Sequence, residues 1–174
     1  LDNIKIIEGR FSPKDTQDKN NQLIDKIRRG WLLLNKRQGC NKSDIRLIAH
    51  FIKRADNQKK DIRFKELRLK NKKICEALIS LRNSGSKNGK VIVGIDAAAS
   101  EFDTPPEVFA PVFKKLRKKG FQHFTYHAGE DFYHLLGGLR AIYEAITFLD
   151  LQRGDRIGHA TAAGVAPETW AHNV

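Results

Sequence analysis

The sequence predicts a parallel α/β fold, and two observations carry that expectation. Short apolar runs alternate with segments of helical periodicity at 45–53, 58–82, 91–96, 105–119, 121–127, 137–149 and 155–159. That is the spacing of βαβ units. The runs at 121–127 and 155–159 also end at histidines, His127 and His159. Polar groups at the carboxyl ends of strands are where parallel α/β proteins build their sites. A doubly wound sheet and a (β/α) barrel share this alternation, so the pattern alone leaves both open.

Taken in order, Ile4-Lys5-Ile6-Ile7 reads as a short strand closed by Gly9, and Ser12-Pro13 opens a polar loop or frayed helix start through Asn21. From Leu23, apolar residues recur every three or four positions through Ile24, Ile27, Trp31 and Leu34, a helix that Gly39 should stop. Asp44 to Lys53 is apolar on both parities, as in a strand covered on both faces. His50 near its end reads first as a buried, hydrogen-bonded histidine and second as a group on a pocket floor. A long basic helix follows, with Phe64, Leu67, Ile74, Leu78 and Leu81 on one face, and Asn83 to Gly89 reads as a flexible connection. Val91 to Asp96 is a buried strand followed by the small residues Ala97-Ala98-Ala99-Ser100. Thr104-Pro105-Pro106-Glu107 signals a capped helix start, with the helix ending at Gly120. Its lysines 114, 115, 118 and 119 fall in the second half, where they offset the negative helix end and need no ligand. Pro167-Glu168-Thr169-Trp170 begins a last helix.

Composition excludes some classes. At 174 residues the chain can bury a full core, and no run of 18 apolar residues is present to span a membrane. Cys40 and Cys75 lack metal-ligand spacing and read as free thiols of a reducing, cytoplasmic compartment. Residues 1–90 hold 24 Lys and Arg against 10 Asp and Glu, whereas residues 91–174 hold 8 against 10. A basic half suits nucleic acid, a nucleotide phosphate or an acidic chain; without an alternating basic–aromatic pattern, a solvated face is the simpler explanation. The expected organisation is a basic helical lead-in over 1–43 and an α/β unit over 44–174.

The chemistry concentrates after residue 120. His127 ends a strand and is followed by Ala128-Gly129-Glu130, where small residues let the chain turn and bring the carboxyl back toward the imidazole. Neutral imidazole suits zinc, and a carboxyl beside it can move protons. His159, at the next strand end, should share that rim. Each histidine alone is more simply structural; together they make a site.

The wording Phe124-Thr125-Tyr126-His127-Ala128-Gly129-Glu130, then Asp155-Arg156-Ile157-Gly158-His159, resembles the adenosine deaminase family of metal-dependent amidohydrolases. Val93-Gly94-Ile95-Asp96-Ala97-Ala98-Ala99-Ser100-Glu101 resembles that family's strand-four motif. The resemblance covers roughly 44–170 and implies a partial (β/α)8 TIM-type barrel, about strands 3–6 with their helices. It implies Zn2+ held by His127, Glu130 as the acid that protonates the purine ring, and His159 orienting or deprotonating the attacking water. It implies a substrate contact at Ala99, and zinc-dependent deamination of adenosine or an adenine nucleotide to the inosine form. Gly138 to Ala145 and the residues around Glu130 look more like the large deaminase subunits of RADAR-type bacterial antiphage systems, which pair with an ATPase. That adds RNA as a candidate substrate, an ATPase as partner subunit and a homo-oligomeric assembly.

Departures accompany the resemblance. Ala99 and Ala160 stand where the family has glycine, and neither its early His-x-His nor its late Asp-Asp occurs here. Met is absent, even at position 1. A full barrel needs eight strands in about 250 residues. The expectation is therefore the middle of a longer deaminase. The alternatives are a catalytically inactive basic nucleic-acid-binding or assembly module, and another amidohydrolase activity on the same fold.

Overall fold

The computed structural model describes residues 5–37, 44–56 and 62–172. Five strands, β1 (Ile6–Phe11), β2 (Asp44–Ile52), β3 (Ile92–Ala98), β4 (His123–Ala128) and β5 (Arg156–His159), form one sheet in chain order. Every neighbouring pair is parallel. The connections carry helices α1 (Gln17–Arg37), α2 (Lys65–Asn83), α3 (Lys87–Val91), α4 (Ala110–Lys118) and α5 (Leu135–Leu149), with α6 (Pro167–His172) after β5. Sequential parallel strands with helical returns are the wall of a (β/α) barrel, here over five strands. The segment expected as a helical lead-in supplies β1 and α1 to this wall.

Alternation along the strands separates two environments. Leu47, Ala49, Phe51, Ile95, Ala97, Phe124 and Tyr126 belong to the buried cluster with Phe109, Val112, Phe113 and Leu116 from the α4 region and Leu78 and Leu81 of α2. The opposite parity carries Arg10, His50, Asp96 and His127, which meet one another. The expectation that β2 is covered on both faces holds at its centre, where Leu47, Ile48 and Ala49 are buried, while Arg46 is exposed and His50 half-buried on the second face.

Several element limits differ from expectation. β1 runs through Gly9 to Phe11 because pairing with Asp44–Ala49 satisfies its backbone, and glycine does not interrupt it. Helix α1 starts at Gln17, within the stretch read as a loop or frayed helix start, and the second alternative is the one the structure has. Buried Asn20 holds that start: its amide nitrogen donates to the Lys14 and Thr16 carbonyls and its oxygen accepts from Lys14 N–H. Its expected stop, Gly39, and Cys40 lie outside the described residues. Helix α2 begins at Lys65 because Phe64 takes a left-handed φ of 59°.

The connection at 83–89 contains the start of a helix, α3, with the Ser86 hydroxyl accepting from Gly89 N–H at 3.1 Å. The helix expected from 105 divides into a 3-10 turn, Pro106–Val108, and α4. Pro111 has no N–H for the bond a continuous helix would require there. Thr104 does not cap it. Its hydroxyl accepts from Arg54 N–H at 2.8 Å and donates to the Arg54 carbonyl at 2.7 Å, tying the end of β2 to the loop after β3. Among the described residues no helix is long and apolar enough to cross a membrane. Cys75 is buried, and loss of hydration pushes its thiol up to about 11.

Candidate active site

The site begins with the end of β4. His127 is its penultimate residue, pairing with Gly158 of β5. A side chain at Gly158 would place its Cβ 2.7 Å from the His127 ring, so the missing side chain makes room for the imidazole. Gly129 turns the chain at φ 80°, packed so closely on Ile142 that a Cβ there would fall 2.6 Å from its side chain. Glu130 follows and points back to the rim. Its Oε2 lies 3.0 Å from Nε2 of His159, and its Oε1 lies 4.0 Å from Nδ1 of His127. The imidazoles of His127 and His159 are 5.1 Å apart, centre to centre. One donor atom from each of His127, Glu130 and His159 lies within 4.8 Å of the others.

Beneath this rim sits a buried ionic group. The Asp96 carboxylate, on β3, is fully removed from solvent. Its Oδ2 accepts from Arg10 Nε of β1 at 2.7 Å and lies 3.0 Å from His50 Nδ1 of β2. Its Oδ1 lies 3.5 Å from His127 Nε2. Burial alone would raise the carboxyl's pKa, but His127, His50 and Arg10 outweigh it and hold it well below the usual range. His50 thus has the hydrogen-bonded place that was its simpler reading, beside the site.

Asp96 Oδ1 and His127 Nε2 are both buried and lack hydrogen-bond partners. Two such unpaired donors 3.5 Å apart suit neighbouring corners of a tetrahedral zinc site, with bonds of about 2.0–2.2 Å. These two residues therefore fit part of a zinc site, which takes three or four protein ligands. On that side His127 and Asp96 would hold the metal, beside the paired Glu130 and His159.

Ala99 follows β3 on the same rim, exposed, at a φ of 98°. It is adjacent in sequence to the polar stretch that reaches the turn: Glu101 accepts from Gly129 and Glu130 N–H. Asp96, Arg10, Lys53 and Glu101 carry no role in the sequence reading. A cation ending an apolar strand, Lys53, is the signal that could have marked one of them.

Residues 43–168, well over half the chain, match the family model described as adenosine deaminase. An adenosine deaminase of Clostridium kluyveri is 40% identical over 86 residues, which is 49% of this chain and 22% of that protein. The chain therefore spans about a fifth of that relative's length. A crystal structure of an amidohydrolase from Burkholderia ambifaria with bound zinc aligns at 20% identity and a TM-score of 0.44, over 75% of this chain and 29% of the other. Motif, rim geometry and the extent of the match agree: the chain belongs to the adenosine deaminase family.

Proposed function

We propose that the intact protein is a zinc-dependent hydrolase that deaminates adenosine or an adenine nucleotide to the inosine form. The observation that carries this reading is the convergence of His127, Glu130 and His159 from consecutive strand ends onto one rim. Zinc, when bound, supplies a water acidic enough to attack at neutral pH. His127 and Asp96 are the residues of this chain best suited to hold it. Glu130, protonated, donates its proton to the purine ring nitrogen, which makes C6 electrophilic. His159, 3.0 Å from Glu130 Oε2, takes a proton from the attacking water and returns it as ammonia leaves. Water adds at C6, and the C6–N bond breaks as the amine leaves with the proton from His159. The new hydroxyl yields its remaining proton to Glu130 as the carbonyl forms, so the acid is restored and the net exchange is water for ammonia. Ala99, exposed at the end of β3, would offer its backbone N–H to the purine edge.

The finer part of the proposal concerns context. A nucleotide or RNA substrate, a homo-oligomer, an ATPase partner subunit and a role in cytoplasmic antiphage defence rest on the wording around Glu130 and at Gly138–Ala145. The basic first half supports an anionic substrate.

Ammonia release from adenosine, AMP, ATP and oligoadenylate by the intact protein tests the reading. Turnover of at least one, lost on zinc chelation and restored by zinc, is expected. Polyanion binding without ammonia release would instead support the inactive binding module.

A further inference from the structure

We propose that Glu101 and Lys53 are positioning residues that hold the backbone of the His127–Glu130 turn, presetting the imidazole and carboxyl of the site. The inference rests on the functional reading above, and neither residue touches the reacting atoms in it. The Glu101 carboxylate, from the loop after β3, accepts from Gly129 N–H at 2.7 Å with one oxygen and from Glu130 N–H at 2.9 Å with the other. Asp131, just beyond the turn, returns the contact by accepting from Glu101 N–H at 3.1 Å. Each loop thus binds backbone of the other. Lys53, at the end of β2, donates from Nζ to the His127 carbonyl at 2.7 Å.

From the other side, residues after β5 complete the hold. Ala160 N–H donates to the Ala128 carbonyl at 3.1 Å, while Ala162 N–H and the Thr161 hydroxyl donate to the Gly129 carbonyl at 2.8 and 2.7 Å. Peptide groups from His127 to Glu130 are therefore bound from the ends of three other strands. A glycine turn gives up the most conformational freedom on ordering, so such bonds decide whether Glu130 is aimed or loose.

The choice of charged groups points beyond simple packing. Lys53 is 2% exposed, with its ammonium 4.5 Å from the centre of the Tyr126 ring. Burying a cation is costly unless it is satisfied. A neutral donor could have served the carbonyl, but an ammonium and a carboxylate grip the two ends of one turn with the stronger, charge-assisted class of bond. Burial lowers the pKa of Lys53, and the nearby carboxylates of Glu101, Glu130, Asp131 and Asp96 offset that only in part.

The test uses the intact enzyme with Glu101→Gln, Lys53→Met and the double variant, with Glu101→Asp and Lys53→Arg as conservative replacements. The expectation for Glu101→Gln is kcat lower by about 10- to 100-fold, as for a reacting group displaced by about 1 Å. KM should stay within about threefold, since ground-state binding is untouched. The amide protons of Gly129 and Glu130 should shift upfield, a readout independent of activity. The double variant should be no worse than the poorer single one, because both act through one turn. Conservative replacements should recover part of kcat.

Folded Glu101→Gln with wild-type kcat overturns the proposal, as does a loss of kcat with both amide resonances unmoved. If the wild-type enzyme deaminates no adenosine compound, the functional reading fails, while the amide shifts still decide whether Glu101 holds the turn.

Discussion

Ala99 and Ala160 adopt φ values of 98° and 51°, where a Cβ crowds the neighbouring carbonyl. These are the two positions at which the sequence has alanine in place of the glycine usual in the family. Replacing either alanine with glycine should relieve about 1–2 kcal/mol of strain and cost about 0.5–1 kcal/mol of chain entropy. Each glycine variant should raise the thermal midpoint by a few degrees at most, read by calorimetry. A lower midpoint for both would contradict the strain. At this scale His127, Glu130 and His159 were legible because each sits where an apolar run breaks. Asp96 was not, since an aspartate ending a buried strand does not reveal that Arg10 and His50 meet it from two other strands.

Helix α3 marks the limit of composition at the element scale. Asn83 to Gly89 is rich in Asn, Ser and Gly and reads as a linker, but Asn88 is buried. Its amide nitrogen donates to Asn21 Oδ1 at 2.7 Å and Asp25 Oδ1 at 2.8 Å, and its oxygen accepts from Arg28 at 2.9 Å. Those partners lie on α1, more than 60 positions away for two of the three contacts. Nothing local could announce them. Asn88→Ala should remove these bonds and leave α1 acceptors short of a donor, costing about 1–3 kcal/mol. Denaturant unfolding measures this, and a loss below about 0.5 kcal/mol, the range of an ordinary surface substitution, would contradict it. The divided helix before β4 was legible in part: Pro105 and Pro106 marked a start, while Pro111 set where the α-helix itself could begin.

Across the whole molecule, the alternation of strand and helix predicted the parallel wall, because period-2 and period-3.6 patterns are local properties of the chain. Membership of β1 in the sheet was less legible, since Gly9 and the basic helix after it suggested a separate lead-in. Register across strands carries the rest. It aligns His50 with Asp96 and His127 with Gly158, which puts an ionic group inside the wall and leaves room for the imidazole above it. The central claim is that this rim delivers an acid, Glu130, to a substrate ring beside a metal held largely by other groups. Its most direct test is Glu130→Gln in the intact enzyme, with turnover and zinc content measured together. A fall in kcat of about 10²–10⁴-fold, typical of losing a general acid, with zinc content unchanged is the predicted result. Wild-type turnover by that variant would contradict it.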